Sequence, residues 1–250
     1  MYTLKKSLGQ HFLKNEQICI DIVEALKKET LQSLVEIGPG GGALTKYLLE
    51  IKDIDFKAIE LDDEKVNYLI KTYPGIENKI IHQDILKAEM PFAAPFTVVG
   101  NFPYNISSQI LFKILDWREF VPRGIGMFQK EVAMRVAAKP GTKVYGILSV
   151  LIQAFYDVEY LFDVPPESFT PPPKVMSGVI ELKRNNQTPD MKSERAFFTL
   201  VKLAFNQRRK MLRNAVKPLF DEETLKDDIF SKRAEQLSVQ DFAQLTFKMQ

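Results

Sequence analysis

Four consecutive residues, Asn101-Phe102-Pro103-Tyr104, carry the groups needed to grip a flat ligand that bears an amine. The Asn101 side-chain oxygen and the Phe102 carbonyl can both accept hydrogen bonds from one exocyclic amine. Pro103 has no N–H and fixes φ, which stiffens the turn, and Tyr104 offers a flat face on which a base can stack. The apolar run Phe96 to Gly100 reads as a buried parallel strand. Asn105-Ile106-Ser107-Ser108 reads as the cap of a helix that begins near Gln109. The tetrapeptide therefore lies at a strand's carboxyl end, where open α/β sheets bind ligands. An ordinary strand-to-helix turn with a buried tyrosine would use the same residues.

A second constellation lies upstream. Leu34-Val35-Glu36-Ile37 is a short strand, and Gly38-Pro39-Gly40-Gly41-Gly42 leads from it into a helix with Leu44, Tyr47, Leu48 and Ile51 on one face. Glycines at such a turn let a ligand approach the backbone, with the helix N-terminus facing it. The pattern Glu36-x-Gly38-x-Gly40-x-Gly42 fits the S-adenosylmethionine (AdoMet) loop of class I methyltransferases, while Gly38-x-Gly40-x-x-Ala43 also fits the dinucleotide fingerprint. The strand Phe56–Glu60 ends in an acid about twenty residues past the first glycine, where both cofactor classes place an acceptor for ribose hydroxyls. Asp84, at the end of the strand Lys79–His82, either accepts from an adenine amino group or caps a turn. His82 reads as strand packing and His11 as structural, since neither has a metal partner in view.

These residues need a scaffold, and the chain supplies one. Strands and helices alternate: Ile125–Phe128 is an apolar strand, a helix runs from Gln129 to about Ala138, Tyr145–Phe155 has helical spacing, and Val158–Val164 and Val175–Leu182 read as strands. The result is an α/β chain with a doubly wound, Rossmann-like sheet. Phe169, in the proline-dense loop Pro165–Val175, is either core or an exposed stacking face. Around Lys183–Met191 the composition turns polar, which sets a boundary between an α/β domain, 1–186, and a small all-α domain, 187–250. The latter should hold helices at Ala196–Phe205, Met211–Leu219 and Asp241–Lys248. It also carries the densest basic cluster, Arg208, Arg209, Lys210 and Arg213, followed by the acidic run Asp221-Glu222-Glu223.

Composition narrows the class. The 250 residues are 45% hydrophobic and 26% charged with net charge +2, as in a soluble globular protein, so any basic surface must be local. The single Cys19 excludes an intramolecular disulfide and argues against a zinc cluster, so no metal is expected. No stretch approaches the ~18 apolar residues of a membrane span. Met1–Lys6 lacks the apolar run of a signal peptide. A cytoplasmic protein without membrane contact is expected.

Read in order, Lys5–Leu13, Glu36–Thr45, Ile59–Asp62, Gln83–Leu86, Asn101–Ser107, Gln129–Val132, Phe169–Val175 and Arg208–Arg213 resemble the motifs of the small-subunit rRNA adenine N6,N6-dimethyltransferase family, over about Lys5 to Gln250. The resemblance implies a class I AdoMet-dependent methyltransferase sheet, with His11 and Leu13 at the AdoMet site and Gln10 beside them. Gly38 and Gly40 would lie under the cofactor, Glu60 at its ribose, Asp84 at its adenine, and Asn101 between cofactor and target base. Tyr104 and Phe169 would sandwich a flipped adenine, and Arg208, Arg209, Lys210 and Arg213 would meet RNA phosphates. The implied substrate is two adjacent adenines in the 3′-terminal hairpin loop of 16S rRNA, each dimethylated within the immature small subunit by a monomer. It also implies an assembly checkpoint. The chain has Phe102 where the family commonly has Leu, and a bulkier pocket wall is expected. Three other readings share some of these features: a large-subunit rRNA adenine methyltransferase of the macrolide-resistance type, an NAD-dependent dehydrogenase, and a non-catalytic RNA-binding assembly factor.

Overall fold

The computed structural model describes residues 11–250. They divide into two units, one ending at Ala133 and resuming over Glu159–Arg184, the other made of Met134–Val158 and Asn185–Gln250. The boundary expected at 186/187 lies two residues past the third crossing, after Arg184. Residues 134–158, expected within the α/β domain, group instead with the C-terminal helices.

In the first unit, the strands are β1 (Phe12–Leu13), β2 (Ser33–Ile37), β3 (Asp55–Glu60), β4 (Ile80–His82), β5 (Thr97–Asn101), β6 (Arg123–Gln129), β7 (Tyr156–Val164, of which Glu159 onward belongs here), β8 (Phe169–Thr170) and β9 (Ser177–Arg184). Seven of them form one sheet in the order β4-β3-β2-β5-β6-β9-β7. β4 through β6 are parallel, and β9 runs antiparallel to β6. β1 and β8 make a separate antiparallel pair. The central strands read as apolar runs because both of their faces are covered. For the same reason β9 is buried from Ser177 to Leu182 rather than alternating as its sequence suggests. The strand order reverses between β2 and β5, so the glycine loop and the Asn101 tetrapeptide open onto the same crevice.

The helices around this sheet follow local chemistry. Asn15 caps α1 (Glu16–Lys27), its side chain accepting the Gln17 N–H at 3.1 Å. α2 (Thr45–Leu48) is a single turn, shorter than the apolar spacing out to Ile51 suggests. The chain there tightens into i→i−3 bonds, Glu50 N–H to the Tyr47 carbonyl and Ile51 N–H to that of Leu48. Asp62 caps α3 (Asp63–Thr72). A 3-10 turn over Tyr104–Ile106 carries the tetrapeptide into α4 (Ser107–Asp116), two residues earlier than expected. His82 is exposed rather than packed, its Nε2 3.1 Å from an Asp63 carboxylate oxygen. Buried Arg123 on β6 binds Glu181 on β9 at 2.6 Å and donates to the Ala25 and Leu26 carbonyls at 2.6 and 2.7 Å, closing the C-terminal end of α1.

The second unit takes over α5 (Lys130–Val136) from Met134 and then holds α6 (Ile147–Gln153), α7 (Glu194–Asn206), α8 (Leu212–Val216) and α9 (Val239–Leu245). Leu148 to Ile152 are all buried, so α6 has no polar face and needs cover on several sides. α7 and α9 pack against it, which is why residues 134–158 belong with these helices. α8 is shorter than expected, and the chain passes into a 3-10 turn at Lys217–Leu219 where Pro218 has no N–H to continue the ladder.

Candidate active site

The loops after β2 and β5 meet in a cleft of about 700 Å3 including its mouth, walled by the glycine loop, Phe12, Glu36, Glu60 and the tetrapeptide. Gly38 and Gly40 hold φ of +69° and +57°, a backbone region that L side chains avoid. That conformation keeps the loop bare where a ligand would lie against it. Glu60 ends β3 beneath this loop. Its Oε2 accepts the Gly40 N–H at 3.0 Å, and its Oε1 accepts the N–H groups of Leu61 and Asp62 at 2.9 and 3.0 Å.

Glu36 is 1% exposed and accepts from the Thr45 hydroxyl at 2.7 Å. Burial pushes its carboxyl up to about 8, with the Glu60 charge adding to the rise and Thr45 opposing it. Lys65 is also buried at the cleft, its Nζ 5.5 Å from the centre of the Phe12 ring. Sequence reasoning assigned no role to Glu36, Lys65 or Phe12. Two signals pointed to Glu36: it heads the Glu36-x-Gly38-x-Gly40-x-Gly42 pattern, and it is an acid inside an otherwise apolar strand. A carboxylate at Glu60 under a bare glycine loop suits a ligand that carries ribose hydroxyls, and AdoMet is such a ligand.

The tetrapeptide forms the opposite wall. Asn101 Nδ2 donates to the His11 carbonyl at 3.4 Å, which turns Oδ1 away from that contact as the amide's acceptor end. Phe102 N–H donates to the Met127 carbonyl at 3.2 Å. The Phe102 ring does not bulk up the cleft as expected. It is 2% exposed and packs edge-on against Phe128, with ring centres 5.1 Å apart. The Tyr104 phenol is hydrogen-bonded to the Ser177 hydroxyl, and burial raises its pKa while Ser177 opposes the rise. Its ring lies 5.5 Å from that of His11, whose Nδ1 donates to the Pro171 carbonyl at 2.8 Å.

The remaining expected residues divide between the cleft and other places. Gln10 lies outside the described residues. Leu13 is buried at the cleft, and its strand partner is Phe169. Phe169 is 1% exposed, in a core cluster with Leu13, Ile22 and Val164. Its ring therefore offers no open face to a base, because pairing of β8 with β1 turns it inward. Asp84 does not line the cleft, and its Oδ1 accepts the Leu86 N–H at 3.0 Å, as a turn cap does. In the second unit, Arg208 binds Glu235 at 2.7 Å and donates to the Lys143 carbonyl, so it ties loops together instead of presenting its charge. Arg213 is half-buried, with its Nε 3.4 Å from the Phe230 carbonyl. Arg209 and Lys210 are exposed. Among the described residues, no cluster of His, Cys, Asp or Glu could hold a metal ion. No helix there is long and apolar enough to cross a membrane.

Ligand loops on either side of the strand-order reversal, one glycine-rich over an acidic strand end, place the protein among class I AdoMet-dependent methyltransferases. A sequence profile described as "Ribosomal RNA adenine dimethylase" matches residues 1–248. Ribosomal RNA small subunit methyltransferase A of Cytophaga hutchinsonii is 55% identical over 246 residues, 97% of this chain and 95% of that protein. Its counterpart in Flavobacterium johnsoniae is 51% identical over 250 residues, 98% and 95% of the two chains. The crystal structure of a dimethyladenosine transferase from Plasmodium falciparum superposes with a TM-score of 0.81 at 27% identity, over 94% of this chain and 96% of that one. The 23S rRNA methyltransferase ErmE shares the fold, with a TM-score of 0.73 at 22% identity over 95% and 99% of the chains. The chain belongs to the ribosomal RNA adenine dimethylase family. It is an AdoMet-dependent rRNA adenine dimethyltransferase, and the dinucleotide reading of the glycine loop gives way to AdoMet.

Proposed function

We propose that the protein dimethylates N6 of two adjacent adenines in the 3′-terminal hairpin loop of 16S rRNA, acting as a cytoplasmic monomer on the immature small subunit. Two acceptors set one residue apart at the cleft, Asn101 Oδ1 and the Phe102 carbonyl, carry this reading. An adenine amine is a poor nucleophile because its lone pair is delocalised into the ring. Each acceptor takes one N6–H, which holds the nitrogen pyramidal and aims its lone pair across the cleft toward the glycine loop. AdoMet supplies an electrophilic methyl group on a sulfonium. Glu60 would accept its ribose hydroxyls, and Gly38 and Gly40 would let it lie against the backbone. After one methyl is added, N6 keeps one hydrogen, and one acceptor is enough to orient the second round. The N6 proton leaves to solvent once the nitrogen is cationic.

Reaching this cleft requires the base to be extruded, at a cost of a few kcal/mol that aromatic stacking offsets. The Tyr104 ring, held by Ser177, is the platform this reading uses, with Phe169 a buried support behind Leu13. Exposed Arg209 and Lys210 would meet phosphates. The similarity to small-subunit methyltransferases over nearly the whole chain supports the choice of substrate. The test offers labelled AdoMet with unmethylated small and large subunits separately and maps the label. Two adjacent N6,N6-dimethyladenosines near the 3′ end of 16S rRNA are expected, and label confined to the large subunit would overturn the proposal.

A further inference from the structure

Gly100 on β5 and Gly126 on β6 are direct cross-strand partners, and the Phe102 ring lies over both. A Cβ on Gly126 would come within 2.3 Å of Phe102 Cε2 and 2.7 Å of Phe128 Cε2. One on Gly100 would come within 2.6 Å of Phe102 Cε1. All three distances are far inside van der Waals contact, so the ring occupies space that exists only because two adjacent strands lack side chains at the same level. Phe128 closes the slot edge-on at 5.1 Å. A phenylalanine thus fits at the second position of the tetrapeptide without entering the cleft.

We infer that Gly126 is a positioning residue for methyl transfer, acting through the Phe102 ring on the acceptors at Asn101 and the Phe102 carbonyl. The ring and the carbonyl leave the same Cα. On one side of that Cα is Asn101, at the end of β5, and on the other is Pro103, whose φ is fixed. A ring lifted out of the slot cannot relax by itself, because it is buried and has only two torsions. Lifting it shifts the Cα, and with it both acceptors. A misplacement of ~1 Å at a reacting centre can cost 10²-fold in rate. The inference rests on the assignment of these two acceptors to the target amine.

Gly126 tests this more cleanly than Gly100, where an added Cβ would also meet the Ile37 carbonyl at 2.5 Å and disturb the sheet itself. At Gly126 the three nearest atoms are all aromatic side-chain carbons. The experiment compares four full-length proteins: wild type, Gly126→Ala, Phe102→Leu and the double variant. Single-turnover methylation of unmethylated small subunits is measured at a temperature where circular dichroism shows each protein folded, with AdoMet affinity measured by calorimetry. Gly126→Ala should slow transfer by roughly 10- to 100-fold with AdoMet affinity unchanged. On the Phe102→Leu background the same alanine should cost less than about twofold, since the shorter side chain vacates the slot. A wild-type rate for folded Gly126→Ala overturns the inference. So does a slow Gly126→Ala whose loss persists in full on the leucine background. Asn101→Ala is run alongside to separate the two layers. If it transfers normally, the acceptor assignment itself has failed. If it is inactive while Gly126→Ala is normal, the acceptors stand and only the slot is wrong.

Discussion

Glu60 Oε2 accepts the Gly40 N–H at 3.0 Å, so the acid proposed to meet the cofactor ribose also holds the glycine loop in place. Replacing Glu60 by alanine removes a charged acceptor and releases the loop. Hydrogen bonds to charged groups are worth ~1.5–3 kcal/mol, so AdoMet affinity should fall roughly tenfold or more. Calorimetry is the check, and an unchanged dissociation constant would remove Glu60 from the cofactor site.

Glu36 makes folding stability depend on pH. Its carboxyl titrates at about 8 in the folded protein, against 4.5 for an ordinary glutamate, because burial penalises the charge. Between those values the folded state holds a proton that the unfolded chain has released. Stability from this group is full below pH 4.5 and is lost as pH rises toward 8, by at most about 1.4 kcal/mol per pH unit. Glu36→Gln, which imitates the protonated form, should flatten the dependence and be the more stable protein at pH 8. Urea midpoints at pH 5.5 and 8 that do not differ between the two proteins would show that Glu36 keeps its charge when buried.

Arg123 ties α1 to the sheet in the first unit, through Glu181 and two helix carbonyls. Removing one partner of a buried pair strands the other, a loss of ~3–5 kcal/mol. Arg123→Ala should therefore destabilise the protein by about that amount. A loss under ~1 kcal/mol in denaturant unfolding would mean that water takes over the contacts.

Much of this was legible in the chain, and the failures share a cause. The glycine loop, Glu60 and the tetrapeptide announce themselves because their chemistry is local: backbone approach, a strand-end acid, a proline-stiffened turn. Phe169 and Arg208 are different. Whether an aromatic ring in a proline-rich loop is open or buried depends on β8 pairing with β1, about 155 residues away in sequence. Whether an arginine in a basic run is free depends on where Glu235 and the Lys143 carbonyl come to lie. The grouping of residues 134–158 with the C-terminal helices is likewise tertiary, although the mostly apolar α6 carried a hint of it.

The basic cluster yields a narrower prediction than its composition suggests. Arg209 and Lys210 are exposed, whereas Arg208 is engaged with Glu235. Reversing Arg209 and Lys210 to Glu should flatten the log–log salt slope of particle binding by somewhat more than one unit, at roughly 0.7–0.9 per phosphate contact. AdoMet affinity should not move. A salt titration with an unchanged slope would mark the pair as an ordinary solvated surface.

The central claim is that Asn101 orients the target amine, and one rate tests it most directly. Single-turnover transfer to unmethylated small subunits is measured for Asn101→Ala at saturating AdoMet. A fall of at least about 100-fold is expected, the scale of losing one preorganised polar contact to a reacting centre, with AdoMet affinity within about threefold of wild type. A transfer rate within a few-fold of wild type would contradict it and place the reaction centre elsewhere.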